Sequence, residues 1–132
     1  MQIVCNAFSW SLIDTKYSVD KYELGFQVTH LSHFVLVLML LGSLNKDDGR
    51  IVFLGSTTHD AKNKDAMNTL GAKLPDDLEE LVAPLPDTPG EELARGFQRY
   101  GNAKLANVMF MHCLNRALAH VSISISDQPL QV

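Results

Sequence analysis

The stretch RIVFLGSTTHD, Arg50 to Asp60, decides the fold. Arg50 to Ser56 is a run of apolar β-formers too short for a helix, so it reads as a strand buried on both faces. Strands of that kind belong to parallel sheets, whose neighbours must be reached through long crossovers.

The flanks supply those crossovers. N-terminal to the strand, from Ser18 or Asp20 to about Asn45, Leu24, Phe26, Val28, Leu31, Phe34, Val35 and Leu38 recur at helical intervals. Ser18 is the candidate cap, and the charged turn NKDDGR with Gly49 is the stop. Before that helix, QIVC (Gln2 to Cys5) reads as a strand and Ser9 to Tyr17 as a loop. On the C-terminal side, Asp60 to Gly96 is a polar, proline-bearing excursion with a short helix expected near Pro75 to Leu81. A second long helix is expected from about Gly90 to His120, with Leu105, Val108, Met109, Met111 and Leu114 forming much of its apolar face. VSISIS, Val121 to Ser126, alternates as a last strand. The order is βαβαβ, a parallel α/β sheet in one domain over residues 1–132.

Ligands of such sheets bind at the carboxyl ends of the strands. Here those ends are Asn6–Ala7, Ser56–Thr57 and the vicinity of Asp127. On the second helix, RYGNAKLANVMF sets Tyr100 and Lys104 at i and i+4, neighbours on one face. An ammonium so placed favours the phenolate and lowers the tyrosine pKa, which suits proton transfer. Alone, the spacing is a common surface pair. With a hydroxyl at the preceding strand end, it gains a partner.

Composition narrows the classes. A formal net charge of −4 with scattered Lys and Arg gives no basic face for nucleic acid. Cys5 and Cys113 each lie inside an apolar segment, so both are expected as buried free thiols, which suits a reducing, cytoplasmic compartment. The N-terminus lacks the pattern of a signal peptide, and HFVLVLMLLG (His33 to Gly42) is shorter than the roughly 18 residues of a membrane span, so a buried helix is expected. The five histidines have no Cys or carboxylate partner at zinc-ligand spacing, and LGSTTH is not the Gly-x-Ser-x-Gly elbow of a hydrolase, so no metal is expected.

Four motifs in order resemble the short-chain dehydrogenases/reductases: VCNAF after the first strand, GFQVTHLSHFVLV on the first helix, GRIVFLGSTTHD at the central strand, and RYGNAKLANVMF on the second helix. The KLANV continuation is similar to retinol-dehydrogenase-like and fungal members. The resemblance implies a partial Rossmann-type fold and an NAD- or NADP-dependent interconversion of an alcohol and a carbonyl on a lipophilic small molecule. By that resemblance Tyr100 is the general acid/base, Lys104 tunes it and holds the nicotinamide ribose, and Ser56 bonds the substrate oxygen. Asn6 and Ala7 lie by the adenosine side of the cofactor.

The departures are specific. The family's helix asparagine, which supports a proton-relay water through its main chain, is Thr29 here, and the glycine after Asn6–Ala7 is Phe8. No Gly-x-Gly-x-x-Gly phosphate cradle occurs. The chain corresponds to the middle of a reductase, from the fourth strand to near the sixth. The resemblance also implies a homo-oligomer through the two long helices. A catalytically silent remnant that serves as an interaction module is the alternative reading.

Overall fold

The structure is a computed structural model that describes residues 1–119 and the backbone of Ser124–Pro129. Three strands, β1 (Gln2–Cys5), β2 (Arg50–Gly55) and β3 (Ser124–Pro129), form one sheet in the order β1-β2-β3. Both pairings are parallel, with Ile3 opposite Ile51, Cys5 opposite Phe53, and Phe53 opposite Asp127. The βαβαβ reading holds, giving a partial Rossmann-type arrangement. The last strand runs past the expected Ser126, because pairing along all of β2 carries it to Pro129 opposite Gly55. Val121 to Ile123 lie outside the described residues.

Among the described residues the sheet is covered on one side. Ile3, Cys5, Ile51 and Phe53 pack against Val37, Met111 and Leu114 from the two helices. Val52 and Leu54, on the other face, are only half-buried, and Val4 beside them is exposed. The expected double burial of β2 is therefore met on one face among the described residues, since both helices pack on that side.

Helix α1 (Leu24–Ser43) starts later than Ser18 or Asp20. The Glu23 carboxylate caps it, accepting from the Gly25 and Phe26 amides at 3.0 and 2.5 Å, which satisfies two donors that a helix start leaves open. Ser18 instead accepts from the Tyr22 amide in a turn where Lys21 takes φ 65°. A π turn spans Gln27–Leu31. The buried stripe is Phe26, Thr29, His33 and Val37, while Phe34, Val35 and Leu38, which recur at the helical interval, are exposed. Apolar residues surround this helix, so periodicity cannot choose its inner face. The polar residues that find partners across the interface do. At 20 residues α1 is long and apolar enough to cross a membrane by length and composition, which the ten-residue stretch read from sequence understated. Its buried stripe packs here on the sheet and on the second helix.

That helix, α2 (Glu92–Ala117), is shorter than the expected Gly90–His120. Met111 and Leu114 enter the core, Leu105 and Val108 are half-buried, and Met109 is exposed. Cys113, one turn beyond Met109 on the outer face, is exposed and not buried as expected; Cys5 is buried. The excursion between β2 and α2 holds only two single turns, Thr57–His59 and Leu78–Leu81. The helix expected at Pro75–Leu81 shrinks to the second, where Asp77 caps the chain by accepting from the Glu79 amide at 3.0 Å. The excursion returns onto α2 through three bonds: Gln98 Nε2 to the Gly71 carbonyl (3.1 Å), the Lys73 amide to Asn102 Oδ1 (2.7 Å), and Arg99 Nη1 to Asp87 Oδ1 (2.5 Å).

Candidate active site

β2 delivers Ser56 in extended backbone (φ −158°, ψ 145°), just past the buried end of the strand. Its hydroxyl caps the Thr57–His59 turn, accepting from the Thr58 amide (3.4 Å) and the Thr58 hydroxyl (2.9 Å). Tyr100 comes to the same point from α2 across 44 positions of sequence, and the Ser56 hydroxyl lies near enough to its phenol to hold the phenol's pKa down.

A glycine permits the approach. Gly101 lies against the turn after Ser56 so closely that a Cβ there would sit 2.7 Å from the Thr58 carbonyl oxygen. A second one, Gly96, seats the Leu12 backbone, where a Cβ would lie 2.1 Å from the Leu12 carbonyl oxygen. Glycine costs a helix interior about 1 kcal/mol against alanine. Here the missing side chains are what let the helix meet two loops.

Lys104 follows one turn on. Only 2% of it is exposed, and Nζ donates to the Leu54 carbonyl at 2.7 Å, lying 5.7 Å from the ring centroids of both Phe8 and Tyr100. Burial pushes the Tyr100 phenol above its ordinary value, and the nearby Ser56 hydroxyl opposes that rise. This corrects the expected lowering. The desolvation of a half-buried phenol exceeds the stabilisation of its phenolate, so at neutral pH Tyr100 is a proton donor.

Two aromatic residues of the loop after β1 complete the surround. Trp10 stacks on Tyr100 (5.1 Å between centroids, 24° between planes) and meets Phe97 edge-on, and Phe8 is tilted against Tyr100 at 6.2 Å. Asn6 and Ala7 are exposed and immediately precede Phe8. The void beside Tyr100, lined by Ser9, Trp10, Gly96 and Arg99, is only about 10 Å³, room for a single water. A cleft of about 450 Å³ lies between the excursion and α2, lined by Phe26, Lys73, Asp87, Arg99 and Asn102, and neither Ser56 nor Tyr100 lines it.

Thr29 stands at the π turn, fully buried. Its carbonyl accepts from Asn107 Nδ2 (3.0 Å) and from His33 Nδ1 (2.9 Å). The Asn107 amide is thereby oriented, so Oδ1 faces His30 Nδ1 at 2.9 Å and His30 donates to it. Burial lowers the His30 pKa, the Asn107 bond opposing and the nearby His33 adding to that fall, so His30 is neutral near pH 7. Two donors fill both lone pairs of the Thr29 carbonyl. A relay water has no acceptor left at that oxygen.

The chain is similar to a short-chain dehydrogenase of Talaromyces variabilis, 31% identical over 77% of this chain and 35% of that protein. It is similar to protochlorophyllide reductase A of Oryza sativa, 30% identical over 77% of this chain and 27% of the relative. To the WW domain-containing oxidoreductase of Drosophila melanogaster it is 32% identical over 93% of this chain and 26% of the relative. This chain is a distant homologue of the short-chain dehydrogenases/reductases. It spans about a third or less of the length of these curated relatives, and no protein-family model matches it.

Among the residues the family resemblance selects, Tyr100 and Lys104 lie together near Ser56, while Asn6 and Ala7 are exposed on the chain just before Phe8. Sequence reasoning did not select Phe8, Trp10, Gly101 or Asn107 as parts of the site. Gly101 carried a signal, since a mid-helix glycine asks for a close approach. Asn107 carried a weaker one, a polar residue three positions past Lys104 on the buried face. Trp10 carried none.

Proposed function

We propose that this chain is the proton-transfer segment of an NAD(P)-dependent short-chain oxidoreductase that interconverts an alcohol and a carbonyl on a lipophilic small molecule. The observation that carries the reading is the Lys104 ammonium 5.7 Å from the Tyr100 ring centroid, with the Ser56 hydroxyl near enough to the phenol to hold its pKa down. Tyr100, protonated at neutral pH, gives its proton to a carbonyl oxygen as that oxygen gains charge, and takes it back in the alcohol direction. Ser56 donates to the same oxygen, and Lys104 offsets the charge left on the phenolate. The half-exposed rings of Phe8 and Trp10 give the reacting carbon apolar surroundings, which suits a lipophilic substrate.

A nicotinamide dinucleotide, when bound, supplies or accepts the hydride. The chain fits that group at the reactive end, where a phenol, a hydroxyl and an ammonium converge. Tyr100 and Lys104 would hold the nicotinamide end, and Asn6 and Ala7 would border the adenosine side. At the phosphate end the sequence has no Gly-x-Gly-x-x-Gly. We therefore expect weak binding by this chain, with a dissociation constant near the millimolar range, about −4 kcal/mol.

One observation favours the second reading, a silent chain that acts as an oligomerisation module: the void that Tyr100 lines with Ser9, Trp10, Gly96 and Arg99 holds a single water. Carbonyl-dependent oxidation of NADH or NADPH, followed by nicotinamide absorbance with medium-chain aldehydes and cyclic ketones, separates the two. Turnover supports the oxidoreductase. No turnover by folded protein with any of these supports the silent module.

A further inference from the structure

Ser56 has a single hydroxyl proton, and its neighbours decide where that proton points. The Ser56 oxygen accepts twice, from the Thr58 hydroxyl at 2.9 Å and more weakly from the Thr58 amide at 3.4 Å. A hydroxyl carries two lone pairs and one hydrogen, so both acceptor positions are taken and the hydrogen is left over. Among the described residues the Ser56 hydroxyl donates to nothing. The backbone around it is held. His59 Nδ1 faces the Ser56 carbonyl, which can only accept, so that ring nitrogen carries a proton and donates it. The Thr58 carbonyl lies against Gly101 of α2, at the contact that a Cβ would close to 2.7 Å. With strand, carbonyl and turn fixed, the remaining freedom of Ser56 is in its side-chain hydroxyl, and Thr58 is the group bonded to it.

We propose that Thr58 is a positioning residue: its hydroxyl donates into the Ser56 oxygen and so keeps the Ser56 proton free for an oxygen brought beside Tyr100. That the oxygen belongs to a substrate carbonyl rests on the proposed oxidoreductase; the orientation of Ser56 does not. Without a ligand the same proton serves the Tyr100 phenolate, the neighbour whose charge it stabilises. The donor chain also strengthens itself, because a hydroxyl that accepts a hydrogen bond becomes a better donor. A serine that bonds two residues ahead commonly does no more than close a turn. A turn closure of that kind would contribute stability and leave the phenol untouched, which separates the two roles. The charged and titratable groups about Tyr100 are Lys104 and Arg99 on α2, Glu23 ahead of α1 and His59 on the turn. All four stay unaltered in the variants below.

Thr58→Val keeps the shape and removes the hydroxyl, and Thr58→Ser keeps the hydroxyl. Ultraviolet titration of each, by difference against the same chain with Tyr100→Phe, isolates the Tyr100 phenol from Tyr17 and Tyr22. In Thr58→Val the phenol should become a weaker acid by about threefold, a part of the loss that Ser56→Ala produces. Thr58→Ser should titrate with the wild type. Adding Thr58→Val to Ser56→Ala should change nothing further, since Thr58 acts through Ser56. A folded Thr58→Val chain with the wild-type phenol titration would overturn the proposal. So would a Thr58→Ser chain that behaves as the valine variant, or a valine effect that survives in Ser56→Ala. If the valine variant fails to fold by circular dichroism, Thr58→Ala takes its place with the same expectations. Carbonyl-dependent NADPH oxidation by the wild type separates this role from the proposed activity. A phenol that shifts in a chain without turnover keeps the role of Thr58 and removes the oxidoreductase. Turnover with an unmoved phenol in Thr58→Val does the reverse.

Discussion

Replacing Gly101 by alanine sets two effects of similar size against each other. In an ordinary helix interior the change stabilises by about 0.8–1 kcal/mol, because alanine loses less backbone freedom on folding. Here the new Cβ would lie 2.7 Å from the Thr58 carbonyl oxygen and 3.3 Å from the Ala72 Cβ. The first contact is closer than real Cβ atoms come to anything, and its partner is backbone, so the turn after Ser56 must move off α2. Overpacking of this kind costs about 1–3 kcal/mol, which outweighs the propensity gain and leaves a net loss of about 1 kcal/mol. Urea unfolding measures it, and Gly42→Ala is the control, since nothing lies within 4 Å of where that Cβ would be. Moving the turn also draws Ser56 from Tyr100. The phenol then loses the neighbouring hydroxyl that holds its pKa down, and ultraviolet titration should find it higher still. An alanine variant more stable than wild type by about 1 kcal/mol, with an unmoved phenol titration, would refute the close-approach argument.

Asn107→Leu removes the donor to the Thr29 carbonyl and the acceptor for His30 at one stroke; urea unfolding should show a loss of about 2–4 kcal/mol, from two buried polar groups left short of partners. Burial raises the Cys5 thiol from 9.0 to about 11, so the folded chain keeps that proton where the unfolded chain releases it. Stability from this group is complete below pH 9 and falls as pH rises to 11, by about 2 kcal/mol, and Cys5→Ala should abolish that part of the slope. His30, with its pKa lowered, acts in the opposite sense. Its contribution is present above pH 6.5 and is lost on acidification, which unfolding measured from pH 7 downward should show as a slope weakened in His30→Gln.

The sequence shows most of the frame and where the candidate site residues fall on it. RIVFLG is a strand because it is too short and too apolar to be anything else, and the helical runs on both sides force a parallel crossover. Ser56, Tyr100 and Lys104 were legible because each stands at a strand end or on a helix face whose place follows from that order. The inner face of α1 was not legible. Its apolar residues surround the axis, and Thr29 and His33 are inside because Asn107 and the helix's own carbonyls satisfy them, a relation across 78 residues that no local pattern carries. The Tyr100 pKa was misjudged for a similar reason. An i,i+4 lysine can be read from spacing, but its tether to the Leu54 carbonyl and the burial of the phenol arise only from packing. Cys113 shows the limit of counting apolar neighbours, because α2 turns that part of its circumference to solvent.

In the proposed reaction Tyr100 is the group that moves the proton. Its most direct test compares wild type, Ser56→Ala and Tyr100→Phe in NADPH-dependent carbonyl reduction, each checked for fold by circular dichroism. The account predicts a kcat/KM for Tyr100→Phe lower by about 10²–10⁴-fold, carried in kcat, with a smaller loss for Ser56→Ala. A phenylalanine variant that turns over at the wild-type rate would contradict it.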